Sequence, residues 1–269
     1  MTNQDFTSYQ QSVLQQHLSG GARRSGDSPA MAQVFRWLSE PSAHCITIAH
    51  QQYPGVLRTL IDPPPVLYGL GDWQLFDKPA VAIVGARRCT PRAAAHAWGL
   101  AREIARQGWC VVSGLARGID TAAHKGALAS GVAASTIAVL GSGVDVTYPP
   151  ENAALANQIV GSGGLLISEF RLGSPPLAKH FPQRNRIVAA LGRATIVVQA
   201  RIRSGSMITA RLAGEMGREV LAVPGAPGDP LAEGPHELIR QGAALLENVD
   251  DLWSVFGLCA QMSPTNATH

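Results

Sequence analysis

From Lys78 onward, short apolar runs rich in β-branched residues alternate with longer stretches whose apolar positions recur every three or four residues. The runs are Ala80–Gly85, Trp109–Ser113, Thr136–Gly141, Leu165–Ser168, Ala194–Ala200, Glu219–Val223 and, more weakly, Ala243–Leu246. Between them lie helical patterns at 91–107, 118–130, 151–160, 184–191, 206–216 and 233–241, with a short closing helix over 250–256. Strands that are apolar throughout, alternating with helices, predict a mostly parallel sheet covered on both faces. The spacing suits right-handed crossovers, so the expected class is α/β, a Rossmann-like doubly wound fold. Upstream the pattern weakens. Residues 9–18 and 31–38 read as short helices and His44–Ala49 as an edge strand, while the prolines at 63–65 bar a helix there. The expected organisation is an N-terminal arm over 1–43, partly disordered or residually helical, a Rossmann-like domain over 44–256 and a tail over 257–269.

An apolar content of 46% and a charged content of 15% describe a globular chain with a sizeable core. No apolar run is long enough to span a membrane and no apolar signal region opens the chain, so a cytoplasmic protein is expected. Cys45, Cys89, Cys110 and Cys259 are widely spaced, which reads as reduced thiols with no metal or disulfide role.

Charge singles out one stretch. No Asp or Glu occurs between Arg171 and Gly214, while Arg171, Lys179, Arg184, Arg186, Arg193, Arg201, Arg203 and Arg211 do, in a chain of net charge only +3. Such clustering marks a phosphate-binding surface. Ser204 and Ser206 suit a helix N-cap, and Gly205 lets a backbone approach a ligand. A helix start beside arginines is an anion site. The loops after several strands also carry Gly, Ser or Arg, including Arg87 after the first and Ser113 and Gly114 after the second. They predict a row of anion sites along one rim, which suits a polyanion. Phe181 reads either as core or as a face for base stacking. Asp120 and His124, four apart on one helix, read as a local capping pair more readily than as an acid–base pair.

Several chemistries are disfavoured by missing motifs. The first loop is not G-x-G-x-x-G, no Walker-type G-x-x-x-x-G-K-[ST] occurs, and neither H-E-x-x-H nor G-x-S-x-G is present. No cofactor or metal is implied. A nucleotide-processing hydrolase on a related fold is the alternative, with Ser204–Thr209 and Glu215 over a phosphate.

Together these stretches resemble the DNA-processing protein A (DprA/Smf) family. The strongest match runs Phe181-Pro182-Gln183-Arg184-Asn185-Arg186-Ile187 and Ser204-Gly205-Ser206-Met207-Ile208-Thr209-Ala210. Ile83–Arg87, Ser113–Asp120 with His124, Gly141–Asp145, Ser168-Glu169, Val223-Pro224-Gly225 and Leu238–Ala243 support it, over about residues 46–252. Gln199 stands where an acidic residue is usual, His236 where Asn is common and Gly192 where a small hydroxyl residue is. The resemblance implies a Rossmann-like domain that binds single-stranded DNA, protects it during natural transformation and loads the RecA recombinase, without catalysis. The DNA site it implies comprises Arg87, Ser113, Gly114, Lys179, Phe181, Arg184, Asn185, Arg186, Ser204, Gly205, Ser206 and Thr209. It also implies a homodimer, with Leu238, Ile239 and Gly242 near the contact. The flanks of the match are too short for the helical N-terminal domain and the winged helix of many members, so a short natural form or a trimmed one is expected.

Overall fold

The computed structural model describes residues 8–19 and 29–258; the remaining parts of the expected arm and tail lie outside the described residues. The strands are β1 (Ala43–Thr47), β2 (Val66–Gly71), β3 (Ala80–Val84), β4 (Cys110–Ser113), β5 (Thr136–Val139), β6 (Leu165–Ser168), β7 (Ala194–Val197), β8 (Glu219–Ala222) and β9 (Ala244–Leu245). The helices are α1 (Ser8–Ser19), α2 (Pro29–Trp37), α3 (Gly55–Arg58), α4 (Pro91–Arg106), α5 (Ile119–Leu128), α6 (Ala153–Gly161), α7 (His180–Leu191), α8 (Gly205–Glu215), α9 (Glu233–Arg240) and α10 (Val249–Val255).

All described strands join one mixed sheet in the order β1-β2-β6-β5-β4-β3-β7-β8-β9. The run from β6 to β9 is parallel throughout, while β2 pairs antiparallel with both β1 and β6. Alternate side chains divide between two faces, as the pleat requires. Ala82 and Val84 of β3 pack with Ile187 and Val188 of α7, Ala210 of α8 and Leu238 of α9. Val81 and Ile83 pack with Ala97, Ala101 and Ile104 of α4, Ala123 of α5 and Trp253 of α10. Each large aliphatic side chain buried this way contributes about 1.5–3 kcal/mol.

Two segments depart from the sequence reading. The prolines at 63–65 are followed directly by β2, whose Leu67 and Tyr68 are fully buried; proline bars a helix but not a strand that starts after it. The helix expected from Arg184 starts a turn earlier, at His180, because Pro182 falls in the first turn, where no intrahelical N–H bond is lost. Leu14 and Leu18 of α1 and Met31 and Val34 of α2 are buried against Cys45, Tyr68 and Leu166, so this part of the arm packs on the sheet.

The chain adds β4, β5 and β6 on one side of β3, then returns to lay β7 on the other side. The loops after β3 and β7 therefore diverge, and a crevice opens between them at the carboxyl ends of the strands.

Candidate nucleic-acid interface

A cleft of about 1310 Å³ occupies that crevice. One wall is Gly85–Arg88, after β3. The other is Ala200–Ser206, from the loop after β7 into the first turn of α8. Phe181, Pro182 and Asn185 of α7 close one side, and Arg184 and Asp120 lie at the bottom. The two walls are tied together. Ser206 Oγ donates to the Gly85 carbonyl (2.9 Å), and the Thr90 N–H donates to Gln199 Oε1 (2.9 Å). Gln199 also donates through Nε2 to Thr90 Oγ1 (3.3 Å), so an amide fits here as donor and acceptor at once. Thr90 in turn caps α4 by accepting from Ala93 N, with Pro91 in the first turn.

The rim carries the positive charge. Arg87, Arg88, Arg201 and Arg203 are exposed and line the cleft. Among the described residues none of the four forms an ion pair. The Arg87 guanidinium lies over the Phe181 ring, 5.3 Å from its centroid, and that ring leans on Tyr148 at 5.6 Å. Cation, aromatic face and open cleft meet at this point. α8 starts on the same wall. Ser204 occupies its N-cap position, but the hydroxyl caps nothing and has no partner, so the first N–H groups of α8 have no side-chain acceptor. The Asn185 side chain donates to the Gly205 carbonyl at 3.1 Å and holds this turn against α7.

The floor is built differently. Arg184 is only 4% exposed; its Nη1 donates to the carbonyls of Gly114 (2.6 Å) and Val139, at the ends of β4 and β5. Asp120, 6% exposed, accepts from the N–H groups of Gly114 (3.1 Å) and Ala116 (3.3 Å). Burial pushes the Asp120 carboxyl up, against the opposing pull of Arg184 and these N–H groups. Burial pushes Arg184 down to about 10, with Asp120 opposing and the Arg87 charge adding to the shift. Arg184 stays protonated at neutral pH. Below it, His124 is fully buried and held down at about 3 by burial and by Arg184. Its Nδ1 faces Thr136 Oγ1 at 2.7 Å, and that hydroxyl donates to the Val111 carbonyl, so the ring proton is assigned to Nδ1. His124 is thus neutral and packed below the floor.

The residues singled out from the sequence do not all converge. Arg87, Phe181, Arg184, Asn185, Ser204, Gly205, Ser206 and Thr209 line the cleft. Of these, Thr209 is buried and bonds back to the Gly205 carbonyl at 3.2 Å, so its hydroxyl is committed to the helix. Ser113 is fully buried and donates to the Ile83 carbonyl at 2.7 Å; Gly114 lies beneath Arg184. Lys179 and Arg186 are elsewhere. They line a smaller cavity of about 560 Å³ beside Glu169 and His180. Arg186 forms a fork with the Glu169 carboxylate, both arms at 2.7 Å, and Glu169 is 6% exposed. Two positions apart on α7, Arg184 and Arg186 point into different sites. The expected row of rim sites condenses into one cleft. The loop after β4 is consumed in the floor, and Ser142 after β5 donates to the Val146 carbonyl. Arg88, Arg201 and Arg203 complete the rim; their signal was arginine directly after the two strands that flank the reversal of strand order.

Residues 44–257 match the model of the family described as DNA recombination-mediator protein A. The chain belongs to this family. Protein Smf of Escherichia coli (strain K12) is 43% identical over 224 residues, 80% of this chain and 57% of that protein. The DNA processing protein DprA of Streptococcus pneumoniae is 44% identical over 208 residues, 76% of this chain and 71% of that one. The chain thus spans a little over half of the E. coli relative. The X-ray structure of the S. pneumoniae protein superposes with a TM-score of 0.75 at 36% identity, covering 93% of each chain. DNA processing protein A from Helicobacter pylori superposes with a TM-score of 0.70 at 34% identity, covering 79% of this chain and 95% of that one; its structure was described for a single-stranded DNA binding mode. Family membership and fold agree with the resemblance carried by the FPxRNRI and SGSxITA stretches. Among the described residues no helix is long and apolar enough to cross a membrane.

Proposed function

We propose that the chain binds single-stranded DNA in the cleft between the β3 and β7 loops, without strict sequence preference and without catalysis. One observation carries the reading: four rim arginines that have no ion-pair partner among the described residues line one cleft at the reversal of strand order, and one of them, Arg87, lies over an aromatic face there. Arginines neutralise phosphates and release counterions, and Phe181 offers a face on which any base can stack, worth about 1–3 kcal/mol per base. The domain that does this is 44–256. The single strand is protected there and handed to a RecA recombinase in the cytoplasm, the role that family membership suggests. A homodimer is proposed through the β9 edge and the end of α9. There Ile239 is half-buried, Gly242 is exposed and Leu245 projects to solvent, while Leu238 packs into the chain's own core. Glu215, the acid a nucleotide hydrolase would need over Ser204–Thr209, ends α8 and pairs with Arg211 at 3.5 Å, far from the first turn.

The test is a fluorescence-anisotropy titration with labelled oligo-dT over a salt series, with a duplex competitor. Tight binding that prefers the single strand is expected, with log affinity falling by about 0.7 per neutralised phosphate against log salt. No binding at low salt would remove the proposal.

A further inference from the structure

The loop from Gly114 to Gly118 connects the buried Arg184 to the exposed Arg87. At its start, the guanidinium of Arg184 rests on Gly114, where a β-carbon would stand 2.4–2.6 Å from it; only glycine leaves room for the bond to the Gly114 carbonyl. The carboxylate of Asp120 grips the same loop through the N–H groups of Gly114 and Ala116. Between them Leu115 is fully buried with φ of 57°, a left-handed conformation that a non-glycine residue keeps only when its surroundings enforce it. At its end, Gly118 has φ of 74° and abuts the next wall: a β-carbon there would stand 2.3 Å from the Ala86 carbonyl oxygen and 2.8 Å from that of Arg87. The Ile119 N–H donates to the Ala86 carbonyl at 3.3 Å. The backbone that carries Arg87 is therefore seated on a loop that Arg184 and Asp120 hold from below. Phe181, whose ring lies beneath the Arg87 guanidinium, is one helical turn from Arg184 on α7.

We infer that Arg184 is a positioning residue: it acts on the nucleic acid through the Gly114–Gly118 loop and Arg87, and contacts no phosphate itself. Its Nη1 is turned to the Gly114 and Val139 carbonyls, its Nε is buried, and the whole residue is only 4% exposed in the same floor as the buried Asp120. The inference rests on the single-strand reading of the cleft and adds a division of labour within it. The α7 arginine inside the family stretch builds the floor, and the loop arginine makes the contact.

A double-mutant cycle tests it. Arg184→Lys keeps the charge but ends one bond short of the Nη1 that bridges the two carbonyls; Gly114→Ala keeps Arg184 and displaces its guanidinium. Each is combined with Arg87→Ala, and oligo-dT affinity is read over a salt series. Each single variant is expected to weaken binding roughly fivefold, and by less than about twofold once Arg87 is gone, the coupling that contacting residues show. The salt slope should fall by about 0.7 with either variant and no further in combination with Arg87→Ala. Equal losses in both backgrounds, additive slopes, or wild-type affinity in both variants would overturn the inference. A second arm needs no DNA. In ¹⁵N-correlated NMR spectra of the free protein, Arg184→Lys should shift the amide signals of Arg87 and Gly118. Unmoved signals would overturn the relay even if the protein binds single strands. Absence of oligo-dT binding by the wild type would instead remove the reading of the cleft, with the relay still decided by the spectra.

Discussion

The floor and the rim of the cleft use the same residue type to opposite ends. Arg184 and Arg186 on α7 donate to protein oxygens: two strand-end carbonyls in one case, the Glu169 carboxylate in the other. Arg201 and Arg203, one strand later, project into water beside Arg87 and Arg88. Burial makes the difference. A guanidinium inside the fold must be matched by acceptors, because an unpaired buried charge is far more costly than one in solvent. A guanidinium on an open loop needs no partner and is left for a ligand. A basic stretch of sequence therefore mixes structural and functional charge, and only the second kind sets salt dependence.

The largest expected effect tests the buried side. Glu169→Gln leaves the mostly buried Arg186 with only the exposed Asp62 carboxylate, 3.8 Å away, as counter-charge, and should cost about 3 kcal/mol in urea unfolding. Unchanged stability together with tighter oligo-dT binding would move Arg186 to the rim and break the comparison.

Acid is the next lever. His124 is held at about 3 in the folded chain against an ordinary 6.5. As pH falls through 6.5 the unfolded chain takes up the proton first, so the stability present above 6.5 is lost towards 3. Between pH 7 and pH 5 the loss should be about 2 kcal/mol. His17, held at about 4 by burial beside Arg171, works in the same direction. Comparing wild type with His124→Asn at both pH values isolates the His124 share and cancels Asp120, whose raised carboxyl works in the opposite sense. Equal pH dependence in both proteins would show that His124 is not held neutral.

The smallest effects belong to the rim. Arg87→Ala, Arg201→Ala and Arg203→Ala should each reduce the salt slope of oligo-dT binding by about 0.7. Each should leave thermal unfolding within about 0.5 kcal/mol of wild type. A rim variant that lowered stability by more than this while keeping the slope would place that arginine with the floor.

Much of this was legible in the chain itself, for reasons that differ by region. The central strands stood out because strands covered on both faces have few polar positions to break the run: none in Ala80–Val84, and only the buried, β-branched Thr195 in Ala194–Val197. β2 was hidden because three prolines mask the start of a strand whose Leu67 and Tyr68 carry the burial. The rim could be read from arginines placed directly after strands. The floor could not. Nothing in the spacing of Arg184 and Arg186 tells that one turns to the Gly114 carbonyl and the other to Glu169, because their partners come from β4, β5 and β6. A charge count records arginines but not the acceptors the fold brings to them. The missing acid at Gln199 was visible as a departure. Its meaning needed Thr90, which the fold sets opposite it.

The pairing of Val81 with Ala194 also orders events on the ribosome. Strands β3 to β6 can assemble as soon as they are made, since each lies next to its predecessor. The partner of β3 on its other side is translated only after α7, and α8 later still. A nascent chain therefore carries Arg87 long before it has a second wall to face. Until then the exposed edge of β3 is open to other extended segments, and the cleft comes into being only once β7 and the start of α8 have been made.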